Sequence, residues 1–219
     1  MCLPIETETL FLETISIKNA KAMLLPWHLR RMQETQREIF GHSYLSKLSL
    51  HCPFATGKKE QLKCRVVYGQ EIKQIQFSVY TPRKIKQLRI VEAPQLNYHL
   101  KYAKRDMIDQ LKGHCDKYTD IIITQQGRIT DCSFANIVLF DGHNYITPQH
   151  YLLNGVQRQY LLKTGIIKSK EVTIADLKYY KTLHLINAML NWDSKITIPI
   201  TMIEGCLLYT SDAADDLLC

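Results

Sequence analysis

Residues 127–148 read GRITDCSFANIVLFDGHNYITP. The apolar run Ile137–Phe140 lies between two turn signals, Gln126-Gly127 and Asp141-Gly142. Just before it stand Asp131, then Cys132, Ser133 and Ala135, then Asn136. A strand about to be buried ordinarily sheds charge, because an unpaired carboxylate in apolar surroundings is costly. The pattern predicts a hairpin that keeps Asp131 and Asn136 near its strand edges.

The flanks extend this reading. TDIIITQ (119–125) and YITP (145–148) have strand composition. LLNGVQRQYLL (152–162) passes from Gly155 into a helix, TIAD (173–176) resembles a capping box, and LHLINAML (183–190) is a late apolar strand ending in a small-residue turn. Upstream, FLETISI (11–17) reads as a strand and KNAK (18–21) as its turn. WHLRRMQETQREIFG (27–41) reads as a helix with Leu29, Met32, Gln36, Ile39 and Phe40 on one face. On the other face Arg30 and Glu34 stand at i,i+4, and Gly41 stops the helix. KCRVVYG, KQIQFSVY and KQLRIVEA are further strands. In LKYAKRDMIDQLKGH (100–114), Met107, Ile108 and Leu111 have helical spacing. The expected fold class is α+β in two lobes: residues 1–93, a connector over 94–100, and 101–205.

Composition excludes several classes. No run is long and apolar enough to span a bilayer, and MCLPIETETLFLET carries acids where a signal peptide carries basic residues. A soluble cytoplasmic protein is expected, with no membrane partner. The seven cysteines include no Cys-x-x-Cys pair, so neither a metal site nor a disulfide framework is expected. Cys132 reads as a small packing residue. The net charge of +7 comes from scattered lysines without an aromatic-basic stripe, so no nucleic-acid partner is expected. The tail CLLYTSDAADDLLC (206–219) resembles a translated sequencing adapter and is set aside as a suspected non-native segment.

HLRRM, LKYAKR, GRITDCSFANIVLFDG followed by YITP, LLNGVQRQ and INAM occur in this order along the chain. The set resembles the class IV aminotransferases, enzymes of the type IV pyridoxal-phosphate fold (the D-amino-acid aminotransferase-like architecture). The resemblance runs from about residue 11 to residue 203. It implies pyridoxal 5'-phosphate as cofactor, and it implies roles residue by residue. Lys101 matches the imine-forming lysine, which also moves a proton at the substrate Cα. Asp131 matches the acid on the pyridine nitrogen, where many members carry Glu. Arg31 matches the arginine that grips the phosphate. Gly155, Val156 and Gln157 match the phosphate loop at a helix N-terminus, without the hydroxyl residue of many relatives. Asn187 and Ala188 match a second turn near the phosphate. Asn136 reads either as a residue fixing the hairpin beside the cofactor or as a strand-edge cap. The plainer alternatives are a surface lysine for Lys101, a turn-forming acid for Asp131 and a solvated helix arginine for Arg31.

The family includes branched-chain aminotransferases, D-amino-acid transaminases and 4-amino-4-deoxychorismate lyases. The Asn187-Ala188 turn and the Lys101–Arg105 spacing resemble the lyase pattern. The resemblance therefore implies an enzyme making 4-aminobenzoate and pyruvate for folate synthesis. A transaminase acting on branched-chain or D-amino acids is the alternative, and a cofactor-binding protein without turnover is the outside one. The implied partners are the small-molecule substrate and a second copy of the chain in a homodimer.

Overall fold

The structure, a computed structural model, describes residues 9–45 and 61–205. The suspected tail, with Cys206 and Cys219, and the residues Cys2 and Cys52 lie outside the described range. The chain forms two compact units. The first takes residues up to Thr81 together with Leu100–Arg105, and the second takes Pro82–His99 and residues from Asp106 onward.

The first unit begins with β1 (Phe11–Lys18), which turns through Asn19 and Ala20, both at positive φ, into the short β2 (Lys21–Ala22). Helix α1 (Leu25–Phe40) follows, with a proline in its first turn and Gly41 at φ 80 closing its end on the Arg37 carbonyl. Strands β3 (Leu62–Tyr68) and β4 (Ile72–Val79) complete an antiparallel sheet in the order β2-β1-β3-β4. Its buried side carries Phe11, Ile15, Ile17, Cys64, Val66 and Tyr68, against Met32 of α1.

The buried stripe of α1 includes the expected Met32 and Gln36, with Leu29 and Phe40 packed against the core, but Ile39 is exposed and His28 and Thr35 are buried instead. Polar residues win these positions because each has partners inside. Gln36 donates to the carbonyls of Gly69 and Gln70 at 2.7 Å and accepts from the Tyr44 and Leu45 amides. That one side chain ties the end of α1 to the β3–β4 turn. Arg30 and Glu34 do form the exposed i,i+4 pair, at 3.6 Å.

The second unit runs through β5 (Gln87–Glu92), α2 (Asp106–Lys112), β6 (Thr119–Gln125), β7 (Arg128–Cys132), β8 (Asn136–Phe140) and β9 (Tyr145–Pro148). It continues with α3 (Val156–Lys163), β10 (Lys168–Lys170), β11 (Thr182–Ile186), β12 (Ile196–Pro199) and β13 (Ile203–Glu204). Strands β13, β5 and β6 are parallel neighbours, β6 and β7 form a hairpin, and β8 pairs with both β9 and β11. The β6–β7 turn, Gln126-Gly127, has both residues at positive φ, and Glu92 accepts from both their amides. Its largest core joins Leu88, Ile122, Ile129, Ile137, Leu139, Leu183 and Leu185. At TIAD, Asp176 accepts from the amide and hydroxyl of Thr173 just before a short 3-10 helix, but the helix's N-cap, Ile174, makes no side-chain cap.

The division of the chain differs from the one expected at 94–100. Residues 87–92 pair with β6, which places them in the second unit. Lys101 and its neighbours return to the first unit, because Leu12 donates to the Lys101 carbonyl at 2.8 Å and Ala103 donates to that of Leu10 at 2.9 Å. Helix α2 consequently starts only at Asp106, with Ile108 buried and Met107 exposed.

Candidate active site

Lys101 stands on the stretch that β1 holds by those two hydrogen bonds, and Tyr102 packs against Phe11 with ring centroids 5.5 Å apart. On the same strand face as Phe11 and Ile15 lies Glu13, fully buried. Arg31 donates to it from Nε at 2.8 Å and from Nη2 at 2.6 Å, and His28 Nδ1 lies 2.6 Å from Oε2. Burial pushes the Glu13 carboxyl up, but the Arg31 and His28 charges outweigh that and hold it at about 2. Lys101 is partly buried. Desolvation and the positive charges of Arg31 and Arg105 lower its amine to about 8, against the opposing pull of Glu13. About a tenth of that amine is therefore neutral at pH 7, far more than of an ordinary lysine, and the neutral form is the one nucleophilic and base chemistry require. Arg31 is not a solvated helix arginine: its side chain is 11% exposed, against 50% for Arg30.

The second unit holds Asp131 and Asn136. Asp131 and Asn136 are direct cross-strand partners at the tight connection between β7 and β8, which Cys132 closes by donating to the Ala135 carbonyl. Asn136 donates to Asp131 Oδ1 at 2.8 Å and to the Leu153 carbonyl at 2.9 Å. The Leu152 and Leu153 amides both donate to Oδ2 at 2.9 Å. Burial nevertheless raises the Asp131 carboxyl to about 6, against these donors and the Arg158 charge. Oδ2 has both acceptor positions filled, while Oδ1 keeps one for a further donor. This is neither an exposed turn-forming acid nor a catalytic accident of exposure; the fold aims three donors at it.

Gly155 opens α3. A Cβ there would stand 2.0 Å from Asn136 Oδ1, so any other residue would force Asn136 to shift. The helix has no side-chain cap, and its first-turn amides, including those of Val156 and Gln157, have no acceptor within the helix. Val156 and Gln157 are buried. Gly155→Ala is expected to push Asn136 off Asp131 and to cost about 1–3 kcal/mol. Thermal unfolding measures this, and an unchanged midpoint would show that the 152–155 loop yields instead.

Asn187 serves the second turn through its own side chain. Its Oδ1 accepts from the Met189 and Leu190 amides at 2.8 and 2.9 Å, and its Nδ2 donates to the Phe134 carbonyl at 3.1 Å. The turn carrying Ala188 is thereby tied to the β7–β8 connection. Since Ile186 also pairs with Asn136, the turns bearing Asp131, Asn136 and Asn187 gather at one end of the sheet.

Arg158 is the residue that motif reading left unassigned, although it lies inside LLNGVQRQ. Buried, it reaches Thr147 Oγ1, Asn154 Oδ1 and the Pro148 carbonyl, and it lies over the Tyr151 ring at 4.4 Å. It clamps the loop that brings the Leu152 and Leu153 amides to Asp131. Cys132 is no nucleophile. It is buried with Sγ 3.5 Å from Asp120 Oδ1, and burial and that carboxylate push its thiol well above the usual range.

Each unit by itself carries groups that suit pyridoxal phosphate. In the second, Asp131 offers a buried acceptor for a protonated ring nitrogen and the uncapped start of α3 offers amides to a phosphate; in the first, Lys101 offers an amine with a lowered proton affinity. Among the described residues, no group of three or more His, Cys, Asp and Glu could hold a metal, and no helix is long and apolar enough to cross a membrane.

Comparison with known proteins agrees with this chemistry. The family profile described as amino-transferase class IV matches residues 66–193. An uncharacterized Haemophilus influenzae protein is 32% identical over 183 residues, 81% of this chain and 96% of that one. A Haemophilus somnus crystal structure, provisionally named a 4-amino-4-deoxychorismate lyase, superposes with TM-score 0.72 at 27% identity, covering 84% of this chain and 97% of that one. The branched-chain amino acid aminotransferase from Escherichia coli superposes with TM-score 0.63 at 12% identity, covering 92% of this chain and 78% of its own. The chain belongs to the class IV aminotransferases, a family of enzymes whose cofactor is pyridoxal 5'-phosphate.

Proposed function

We propose that this enzyme converts 4-amino-4-deoxychorismate to 4-aminobenzoate and pyruvate, a step toward folate, with its cofactor held by Lys101. The observation that carries the reading is the likeness to the Haemophilus somnus chain, at 27% identity across 97% of that chain. The Asn187-Ala188 turn and the Lys101–Arg105 spacing support the same branch.

When bound, pyridoxal phosphate supplies an aldehyde carbon that bonds an amine and a ring that takes up an electron pair from the adjacent carbon. Lys101 is the amine that would hold it. Lys101 Nζ would also remove the proton from the substrate ring carbon bearing the amino group. The neighbouring carbon–oxygen bond to the enolpyruvyl group then breaks, the ring becomes aromatic, and the proton ends on the methyl group of pyruvate. No water and no second substrate is consumed. Asp131 would keep the cofactor's ring nitrogen protonated. The Val156 and Gln157 amides, the Asn187-Ala188 turn and Arg31 would bind the phosphate, and Asn136 would hold Asp131 in register.

The decisive assay supplies 4-amino-4-deoxychorismate and follows 4-aminobenzoate and pyruvate. Branched-chain and D-amino acids are offered in parallel with 2-oxoglutarate. Equal molar yields of the two products are expected, and glutamate without 4-aminobenzoate would replace this reading with the transaminase one. A cofactor absorbance with no product from any substrate would leave only a binding protein. The working form is expected to be a homodimer, since members of the family build the site near a subunit interface. Light scattering tests this, and an active monomer at assay concentration would remove it.

A further inference from the structure

Glu13 interrupts the apolar face of β1, fully buried between Phe11 and Ile15. A carboxylate in such a place persists only when its oxygens are matched by charge and hydrogen bonds. Both are: Arg31 approaches side-on through Nε at 2.8 Å and Nη2 at 2.6 Å, and His28 Nδ1 stands 2.6 Å away. A two-point grip fixes the plane of a guanidinium as well as its position. The charges acting on the Lys101 amine are Arg31 from α1, Glu13 from β1 and Arg105 from its own segment, and only Glu13 is negative. His28 and Tyr68 border the same carboxylate.

We propose that Glu13 is a positioning residue for Arg31 and Lys101, locking the Arg31 guanidinium in one orientation and offsetting its charge beside Lys101. The proposal rests on the reading above, in which Lys101 holds the cofactor and Arg31 meets its phosphate. A side chain of the same shape without charge would remove the two-point ionic grip on Arg31 and the negative charge that offsets it. The ammonium form of Lys101 would then be harder to maintain.

Trace labelling of the cofactor-free protein with acetic anhydride across pH, read by peptide mass spectrometry, gives a titration midpoint for Lys101. In Glu13→Gln that midpoint is expected to fall by about one pH unit, because a negative neighbour has been lost. Exposed Lys178 serves as the unmoved reference. Glu13→Gln combined with Arg31→Met removes both charges and brings the midpoint back toward the wild-type value. Glu13→Asp keeps the charge but shortens the reach. It is expected to leave the midpoint in place while lowering affinity for pyridoxal phosphate, relative to pyridoxal, about tenfold. An unmoved Lys101 midpoint in folded Glu13→Gln, or a fall that persists in the double variant, overturns the charge role. A wild-type affinity ratio in Glu13→Asp overturns the positioning role, and that variant decides if Glu13→Gln does not fold. Wild-type protein that binds neither pyridoxal phosphate nor pyridoxal would sink the functional reading instead, while the labelling midpoints still report on Glu13.

Discussion

Lys101→Ala is expected to lower turnover about 10³-fold or more and to remove the visible absorbance of the bound cofactor. Two losses combine. The amine that fixes the cofactor's aldehyde carbon is gone, and so is the base that moves the substrate proton. No neighbour replaces it. Arg31 and Arg105 stay protonated, since a guanidinium does not give up its proton in a protein, and Glu13 is committed to Arg31 and His28. The backbone of residue 101 keeps its bond from Leu12, so the fold should survive the change. Borohydride fixation of the cofactor, followed by peptide mapping, gives the independent check in the wild-type protein. A label on Lys104 or Lys112 in place of Lys101 would show that the assignment is wrong.

Asp131→Asn is expected to keep the cofactor bound and to lower turnover by about 10²–10³-fold. The amide occupies the same space and still offers one oxygen to the Leu152 and Leu153 donors. What it lacks is the negative charge that keeps a proton on the ring nitrogen. Without that proton the ring is a poorer acceptor for the electron pair released at the substrate carbon. The wild-type protein should show the same dependence in its pH profile. The Asp131 carboxyl lies at about 6, raised by burial, so its charge is present above that value and lost as the pH falls through it. Turnover should therefore decline on the acid side near that pH, and the Asn variant should show no such limb. A variant with wild-type rates and an unchanged acid limb would detach Asp131 from the chemistry.

Why were the surroundings of Asp131 legible in the sequence, while the burial of Glu13 was not? Asp131, Asn136 and Gly155 sit at turns and element ends, where local chemistry limits what a residue can be doing. A glycine before a helix, or a polar pair flanking a short connection, leaves a mark within a few residues. Glu13 leaves none. It occupies a strand position that alternation assigns to the core, and the partners that make it tolerable lie 15 and 18 residues away on α1. Arg158 was hidden for a related reason. A helical arginine is ordinarily solvated, and only the return of the loop over Thr147, Pro148 and Asn154 shows that it is a clamp.

The helix stripes illustrate the same limit. Periodicity placed Ile39 and Met107 among the buried residues of their helices, yet both are exposed. In α1 the competing term is hydrogen bonding. His28 is buried because Glu13 supplies a partner that no local window contains. In α2 the helix is short, since residues 101–105 are drawn out along β1.

The sequence by itself determined the order of elements, the hairpin around Asp131, the glycine at the head of α3 and the family chemistry, because these depend on neighbours a few residues apart. Only the tertiary structure decided which charges oppose one another: Glu13 against Arg31 and His28, and Asp131 against burial. The proton-holding strength of a group depends on solvent exclusion and on the distance to other charges, and both are set by residues brought together from distant parts of the chain.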